Sequence, residues 1–291
     1  MKFSRFLFIF ALVALFSLTP GYVRSEAIKE FPLEPATVKS STIADAFLNE
    51  ELTYTIGFWF FDDVATGKVS LRKGENGDYI ATLNAKTTGF VGKVMKNRKD
   101  SYVAHLRLAE GGRRFVTQSF EKIVEIDGKV KKSVTVLDYD KRVMKWKSWI
   151  NGKEEHSKEV KLPPGIYCDG PLAAFYNFRF GVYGPIKEGR EYRMFYFPKE
   201  DHVPEIKVSV ATQEELNKRF RDRPASADYL ANVQIDKELF GSQSGDVDII
   251  FTDDLLPTQV LVKDLVFFGD VRGKLTQLGT SLSFSKQPTL E

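Results

Sequence analysis

Asp169-Gly170-Pro171-Leu172-Ala173-Ala174-Phe175-Tyr176-Asn177-Phe178-Arg179-Phe180 is the stretch on which the reading of this chain turns. Pro171 suits a first helical turn, where the N–H it lacks would have no partner. Asp169 or Gly170 can cap the start, and Gly181 can end the helix in a left-handed conformation. At about 100° per residue Leu172, Phe175, Tyr176 and Arg179 share one face, with Ala174 and Phe178 opposite, so the helix is apolar nearly all round and must be buried. Isolated helices below roughly 12–15 residues are marginal in water, so the surrounding chain has to hold this one in place.

That surrounding chain is β-rich. Upstream, Glu51–Phe61 reads as one strand, apolar on both faces from Phe58 through Trp59, Phe60 and Phe61 and ended by Asp62-Asp63; Val64–Lys73 and Tyr79–Thr88 follow as a meander. Ser40–Asn49 fits a short turn or helix, and Gly89–Asn97 a short amphipathic helix with basic residues around it. Asp127-Gly128 and Asn151-Gly152 are two-residue hairpin signals. Downstream, Arg193–Phe197 is again apolar on both faces, Glu205–Thr212 alternates, Gln213–Arg223 is a charged helical excursion, and four further strands close the sequence. The expected fold is mainly β (α+β): a strongly curved antiparallel sheet of about ten strands, an open or half-closed barrel wrapped around the short buried helix. No βαβ rhythm or internal repeat is visible.

Residues 1–25 have the parts of a secretory signal: Lys2 and Arg5, an apolar run from Phe6 to Leu18, then a polar exit that allows cleavage near Ser25 or Ala27. The run is shorter than the roughly 20 residues of a spanning helix. The predicted location is therefore periplasmic or secreted, with residues 26–49 an extended lead-in, 50–285 a single curved-sheet domain and 286–291 a tail. Removing residues 1–25 takes Lys+Arg from 42 to 39, level with Asp+Glu, so no net positive field remains to draw in nucleic acid. Cys168 is the only cysteine, so no intrachain disulfide is available and stability must come from the core.

Three features give the chain a familiar look: Glu51-Leu52-Thr53-Tyr54 with its aromatic cluster; Asp169 with Leu172–Arg179; and the closing run Ile249–Asp254, Leu256–Val260 and Phe268–Val271. On these the chain resembles a family of secreted bacterial proteins known only as a domain of unknown function, associated with the curved-sheet fold of the lipoprotein carriers LolA and LolB. The resemblance implies secretion and that fold, and implies no enzyme activity. The carrier-like group suggests, by fold analogy alone, a lipid-like ligand such as a lipoprotein acyl chain.

The candidate ligand-binding residues are Arg179, Tyr176, Phe175 and Leu172 on the helix, with Phe58, Trp59, Phe60, Phe195 and Phe197 on the two-sided strands. Arg179 needs a partner on its apolar face: either a strand carboxylate, with Asp253 and Asp254 the candidates, or an anionic headgroup. Asp169 reads as a cap whose loss costs about 1 kcal/mol, and Phe178 as core. Cys168 lacks a histidine in any recognisable arrangement, and the acidic clusters Asp62-Asp63, Asp246/Asp248 and Asp253-Asp254 lack the spacing of a calcium loop. No catalytic residue, metal or cofactor is expected. The expected function is non-enzymatic binding of an apolar or amphipathic molecule, or of a segment of an envelope protein, in a cavity between the sheet and the helix, with at most peripheral membrane contact; the alternative is a structural or interaction module with a filled core and no small ligand.

Overall fold

The computed structural model describes residues 42–58, 61–94, 96–200, 202–219, 229–265 and 269–280. The expected signal at residues 1–25, most of the expected lead-in, Trp59, Phe60, the end of the Gln213–Arg223 excursion and the tail lie outside the described residues.

Among these, fourteen strands form one antiparallel sheet rather than the expected ten, because each segment delimited by a turn signal is a strand of its own. They are β1 (Glu50–Phe58), β2 (Phe61–Lys73), β3 (Tyr79–Thr87), β4 (Lys99–Ala109), β5 (Arg114–Ile126), β6 (Lys129–Asp138), β7 (Val143–Ile150), β8 (Lys153–Lys161), β9 (Glu191–Phe195), β10 (Glu205–Val210), β11 (Tyr229–Gln234), β12 (Asp246–Phe251), β13 (Pro257–Leu265) and β14 (Gly269–Thr280). The helices are few and short: α1 (Ile43–Phe47), α2 (Gly89–Val94), α3 (Pro171–Phe180) and α4 (Gln213–Arg219). The sheet runs β8-β7-β6-β5-β4-β3-β2-β1-β14-β13-β12-β11-β10-β9. Its end strands β8 and β9 do not pair, so the sheet is open and no barrel seam closes it.

The hairpin signals hold locally. Asp127 and Gly128 have φ of 56° and 72°, Asn151 and Gly152 of 49° and 81°, the left-handed pair that matches the twist of two-residue hairpins. Two readings of aromatic strands change. Glu51–Phe61 is not one strand: β1 ends at Phe58, which pairs with Phe61 on the antiparallel β2, and Asp62-Asp63 lie inside β2. Arg193–Phe197 is not two-sided either, because β9 buries Tyr192 and Met194 while Phe195 is 40% exposed, the ordinary alternation of a strand with one wet face.

α3 forms as its residues dictate. Gly170 is the N-cap, Pro171 opens the first turn, and Gly181 ends the helix at φ 78°, its N–H donating to the Phe178 carbonyl. A Cβ on Gly170 would sit 2.8 Å from Cζ of Phe197, so the backbone's close approach there requires glycine. Leu172, Ala173, Ala174, Tyr176, Asn177, Phe178 and Arg179 are all buried. Asn177 bonds the backbone of Phe115 on β5, whereas Phe178 packs on Tyr192 of β9 and Phe251 of β12 at ring centroid distances of 5.5 and 6.0 Å. Strands far apart in the sheet order thus reach one ten-residue helix, which requires the sheet to curl around it.

Candidate functional site

Two buried polar assemblies hold α3, and an apolar cavity lies beside it. Arg179 forks onto Glu50 of β1, with Nη1 and Nη2 each 2.7 Å from a carboxylate oxygen, and Nε donates to the Leu255 carbonyl at 2.9 Å. Its guanidinium lies over the rings of Phe47 and Phe175, 4.5 and 5.0 Å from their centroids. Burial alone would lower the Arg179 pKa, but the Glu50 carboxylate beside it raises it overall. The expected partners Asp253 and Asp254 are not the ones used: they sit in the exposed turn after β12, where the Asp254 N–H bonds the Asp253 carboxylate. Glu50 gains the role because it opens β1 beside α3. The protein neutralises Arg179 itself, so this residue is not a headgroup ligand.

Asp169 does not cap the helix. Its carboxylate is fully buried and accepts from Arg114 Nη2 at 2.8 Å, from Asn177 Nδ2 at 3.0 Å and from the Tyr183 hydroxyl, while its own N–H donates to the Phe195 carbonyl at 2.6 Å. Burial pushes its carboxyl up to about 6, with Arg114 and the hydrogen bonds from Tyr183 and Asn177 pulling the other way. Asn177 completes the assembly by accepting from the Phe115 N–H and donating to the Phe115 carbonyl, both at 2.8 Å, as a strand neighbour would. Asn177→Ala strands a buried N–H and a buried carbonyl on β5. It is expected to cost about 2–3 kcal/mol in chemical denaturation, and a change under 0.5 kcal/mol would show that Phe115 finds other partners.

Cys168, buried beside Asp169, has its thiol pushed up to about 12, chiefly by burial. A thiol so disposed stays protonated and unreactive at neutral pH. Among the described residues no three His, Cys, Asp or Glu side chains gather as a metal site.

Between α3 and the concave face of the sheet lies a cavity of about 350 Å³. Leu172, Ala174, Phe175 and Phe178 of α3 form one wall. The sheet supplies Tyr54, Ile56 and Phe58 from β1, Ala65, Gly67 and Val69 from β2, Leu83 and Ala85 from β3, Ile206 and Val208 from β10, Ala231 and Val233 from β11, and Val247, Ile249 and Phe251 from β12. These are alternate residues of each strand, the concave face of the pleat. Apart from the tyrosines Tyr54 and Tyr102, the polar lining is Lys86, Thr87, Arg98 and Asp100, from the adjoining ends of β3 and β4. Arg98 forks onto Asp100 there, Nε and Nη2 at 2.7 and 2.9 Å. The connection from β11 to β12 crosses to β4 and β5 and adds Leu239 and Phe240 to the lining. The Leu239 carbonyl accepts from the Tyr102 hydroxyl at 3.2 Å and from Lys122 Nζ at 2.6 Å.

No family model matches the chain, and no curated protein matches it. Among solved structures it is similar to a β-barrel-like protein of the domain of unknown function DUF1849 from Brucella abortus, at 12% identity over 80% of this chain and 98% of that one, with a TM-score of 0.44.

Of the sequence candidates, the cavity brings together Phe58, Leu172 and Phe175, and the core residue Phe178 joins them. Tyr176 and Arg179 are buried behind the wall, Phe195 faces outward, and Phe197 packs on Phe120 at 5.7 Å, so these four stand outside the lining. Trp59 and Phe60 lie outside the described residues. Sequence reasoning missed the wall formed by β10–β12, although Ile206, Val208 and Val210 alternate plainly. It also missed Glu50, Arg114, Asn177 and Tyr183, whose roles depend on contacts distant in sequence and have no local signature.

Proposed function

We propose that this protein binds an apolar or amphipathic molecule in the cavity beside α3, and that it works as a secreted, non-enzymatic binding protein of the cell envelope. The cavity carries the reading. A volume of about 350 Å³ falls within the roughly 300–1,000 Å³ typical of small-molecule pockets, and an apolar cavity of about 150 Å³ already takes benzene. Such a space also argues against a core filled completely by the helix. The envelope setting rests on the signal-like residues 1–25, and a lipid or lipoprotein acyl chain is the ligand that the carrier-like resemblance suggests. The protonated state of Cys168 supports binding rather than nucleophilic chemistry.

The test is ligand retention in native mass spectrometry after gentle purification, together with binding of an apolar fluorescent probe. Ala85→Phe, which projects a ring into the cavity from β3, is expected to weaken probe binding by more than about tenfold while leaving a cooperative unfolding transition, since the added volume enters space that is already there. Unchanged probe affinity in that variant, with no co-purifying mass in the unmutated protein, would overturn the proposal.

A further inference from the structure

Beyond the cavity the concave face of the sheet continues onto β5–β8, and the strand register says which residues it carries. Phe120 of β5 stands opposite Thr135 of β6, Thr135 opposite Trp146 of β7, and Trp146 opposite Lys158 of β8. Directly opposed residues point to the same face. This row is concave: Thr135 is buried, and Phe120 packs on Phe197, the ring that abuts Gly170 at the start of α3. Lys158 Nζ lies 5.3 Å from the centre of the Trp146 ring, which confirms the shared face. Four residues along the strands, the row Val124, Lys131, Ile150 and Lys153 points the same way, and Ile126 with Lys129 ends it at the hairpin tip.

The two faces of these strands treat charge differently. On the convex face lysines and glutamates neutralise each other across strands: Lys132 with Glu121, Lys145 with Glu159 at 3.5 Å, Lys147 with Glu154 at 3.1 Å, and Lys99 of β4 with Glu125 at 3.2 Å. The concave rows hold Lys129, Lys131, Lys153 and Lys158 and no carboxylate, and none of the four has an acidic partner among the described residues. The acids that border the face are engaged. Asp100 is forked by Arg98, Asp236 is paired with Lys199 at 3.3 Å, and Asp127 at the hairpin tip with Lys96 at 2.9 Å. Exposed Glu238 lies beside Lys122, whose ammonium bonds the Glu238 and Leu239 carbonyls at 2.7 and 2.6 Å. Glu155, the extra residue of the β8 bulge, and Glu200 are exposed, and together offset at most half of the four lysines. Between the lysines Val124, Trp146 and Ile150 are only half-buried, and Ile126 is 37% exposed.

From this segregation we infer that the concave face of β5–β8 is a docking surface for an extended acidic peptide segment of a partner protein. Its carboxylates meet Lys129, Lys131, Lys153 and Lys158, and its interspersed apolar side chains cover Val124, Ile126, Trp146 and Ile150. Charge complementarity of this kind selects a partner and orients it, and open apolar area mixed with it marks interaction surfaces. The dimensions set the occupant. The rows of Lys131 and Lys158 are about 13 Å apart at the rise of a β-strand, too far for one small anion to reach both and long enough for about four residues of extended chain. A bilayer surface is flat, whereas this face lies on the inner side of a curled sheet. The surface is separate from the apolar cavity and does not depend on what that cavity binds.

Anisotropy titration tests it with a labelled peptide of about eight residues that alternates Asp with Leu and Tyr, beside the same peptide with Lys for Asp and vesicles of phosphatidylglycerol. The acidic peptide is expected to bind about tenfold or more tighter than the basic one and to weaken as salt is raised. Two double variants remove the same charge from opposite faces at exposed positions. Lys131→Gln/Lys153→Gln is expected to weaken the acidic peptide about fivefold or more, and Lys145→Gln/Lys147→Gln to leave it within about twofold. Equal weakening by the two pairs, equal affinity for the two peptides, no binding at about 1 mM peptide, or a preference for the vesicles would overturn the docking surface. Ala85→Phe, which fills the cavity, is expected to leave peptide affinity unchanged. A loss there would place the peptide in the cavity and overturn this face as its site, whereas failure of the apolar probe to bind would overturn only the cavity's role.

Discussion

Arg179→Gln is expected to lower the unfolding free energy by about 3–5 kcal/mol, the cost of breaking a buried pair and leaving one charge uncompensated. The side chain is 3% exposed and that of Glu50 11%, so little water is available to replace what is lost. Beyond the fork to Glu50, the substitution removes the donor to the Leu255 carbonyl and the cation lying over Phe47 and Phe175. Those contacts join α1, α3, β1 and the turn after β12, so the variant should unfold at lower urea as one cooperative unit. Glu50→Gln should do nearly as much damage by stranding the guanidinium. The double variant Glu50→Leu/Arg179→Met should recover much of the loss, since apolar replacement of both members of a buried pair is often neutral or stabilising. Urea midpoints of the four proteins decide it. A single-variant loss under 1 kcal/mol would mean that Arg179 contributes little to holding the helix.

The second large effect lies at Asp169. Removing its carboxylate in Asp169→Ala leaves Arg114, Tyr183 and Asn177 without their shared acceptor, and is expected to cost about 3–5 kcal/mol rather than the 1 kcal/mol of a lost cap. The same carboxylate has a pH signature. Its ordinary value of 3.8 rises to about 6 in the fold, so between those values the folded chain binds more protons than the unfolded one. Stability from this group is therefore fully present below about pH 4 and is lost as pH rises through about 6. This runs opposite to the usual behaviour of a salt-bridged carboxylate. Denaturation curves from pH 4 to pH 7 should show the downward slope in the unmutated protein and its loss in Asp169→Asn. A rising contribution over that range would show instead that Arg114 holds the carboxyl below its ordinary value.

How much of this was legible depends on the range of the interaction. The helix, its Pro171 start and its Gly181 stop follow from contacts within one or two turns, and the Asp127-Gly128 and Asn151-Gly152 hairpins are equally local. Apolar strand faces told that something is enclosed. They did not tell that Phe58 and Phe61 stand on two different strands, because no glycine or proline between them signals a turn. Helical spacing placed Arg179 correctly on the Phe175–Tyr176 face, but its partner Glu50 is 129 residues away. An acidic residue at a strand start looks like any other exposed strand end. Asn177 sits in an apolar run and looked incidental, yet it ties the helix to β5 and to Asp169. A cavity between sheet and helix was expected, but whether it stays open could not be read, since its volume is the difference between what fourteen strands enclose and what one helix fills.

The strand order has a kinetic consequence. β1–β8 and β9–β14 are each built from successive neighbours, so most pairings close short loops and need not await the rest of the chain. The β1–β14 seam is different: Glu50 pairs with Thr280, near the far end of the domain. Closing so long a loop is entropically costly and characteristically slow. As the chain is made, β1 must therefore wait with one edge unsatisfied until β14, the last of the described strands, has emerged. An unpaired edge bordered by aromatic residues is a template for aggregation, so the interval before the seam closes is when this chain has most need of a chaperone.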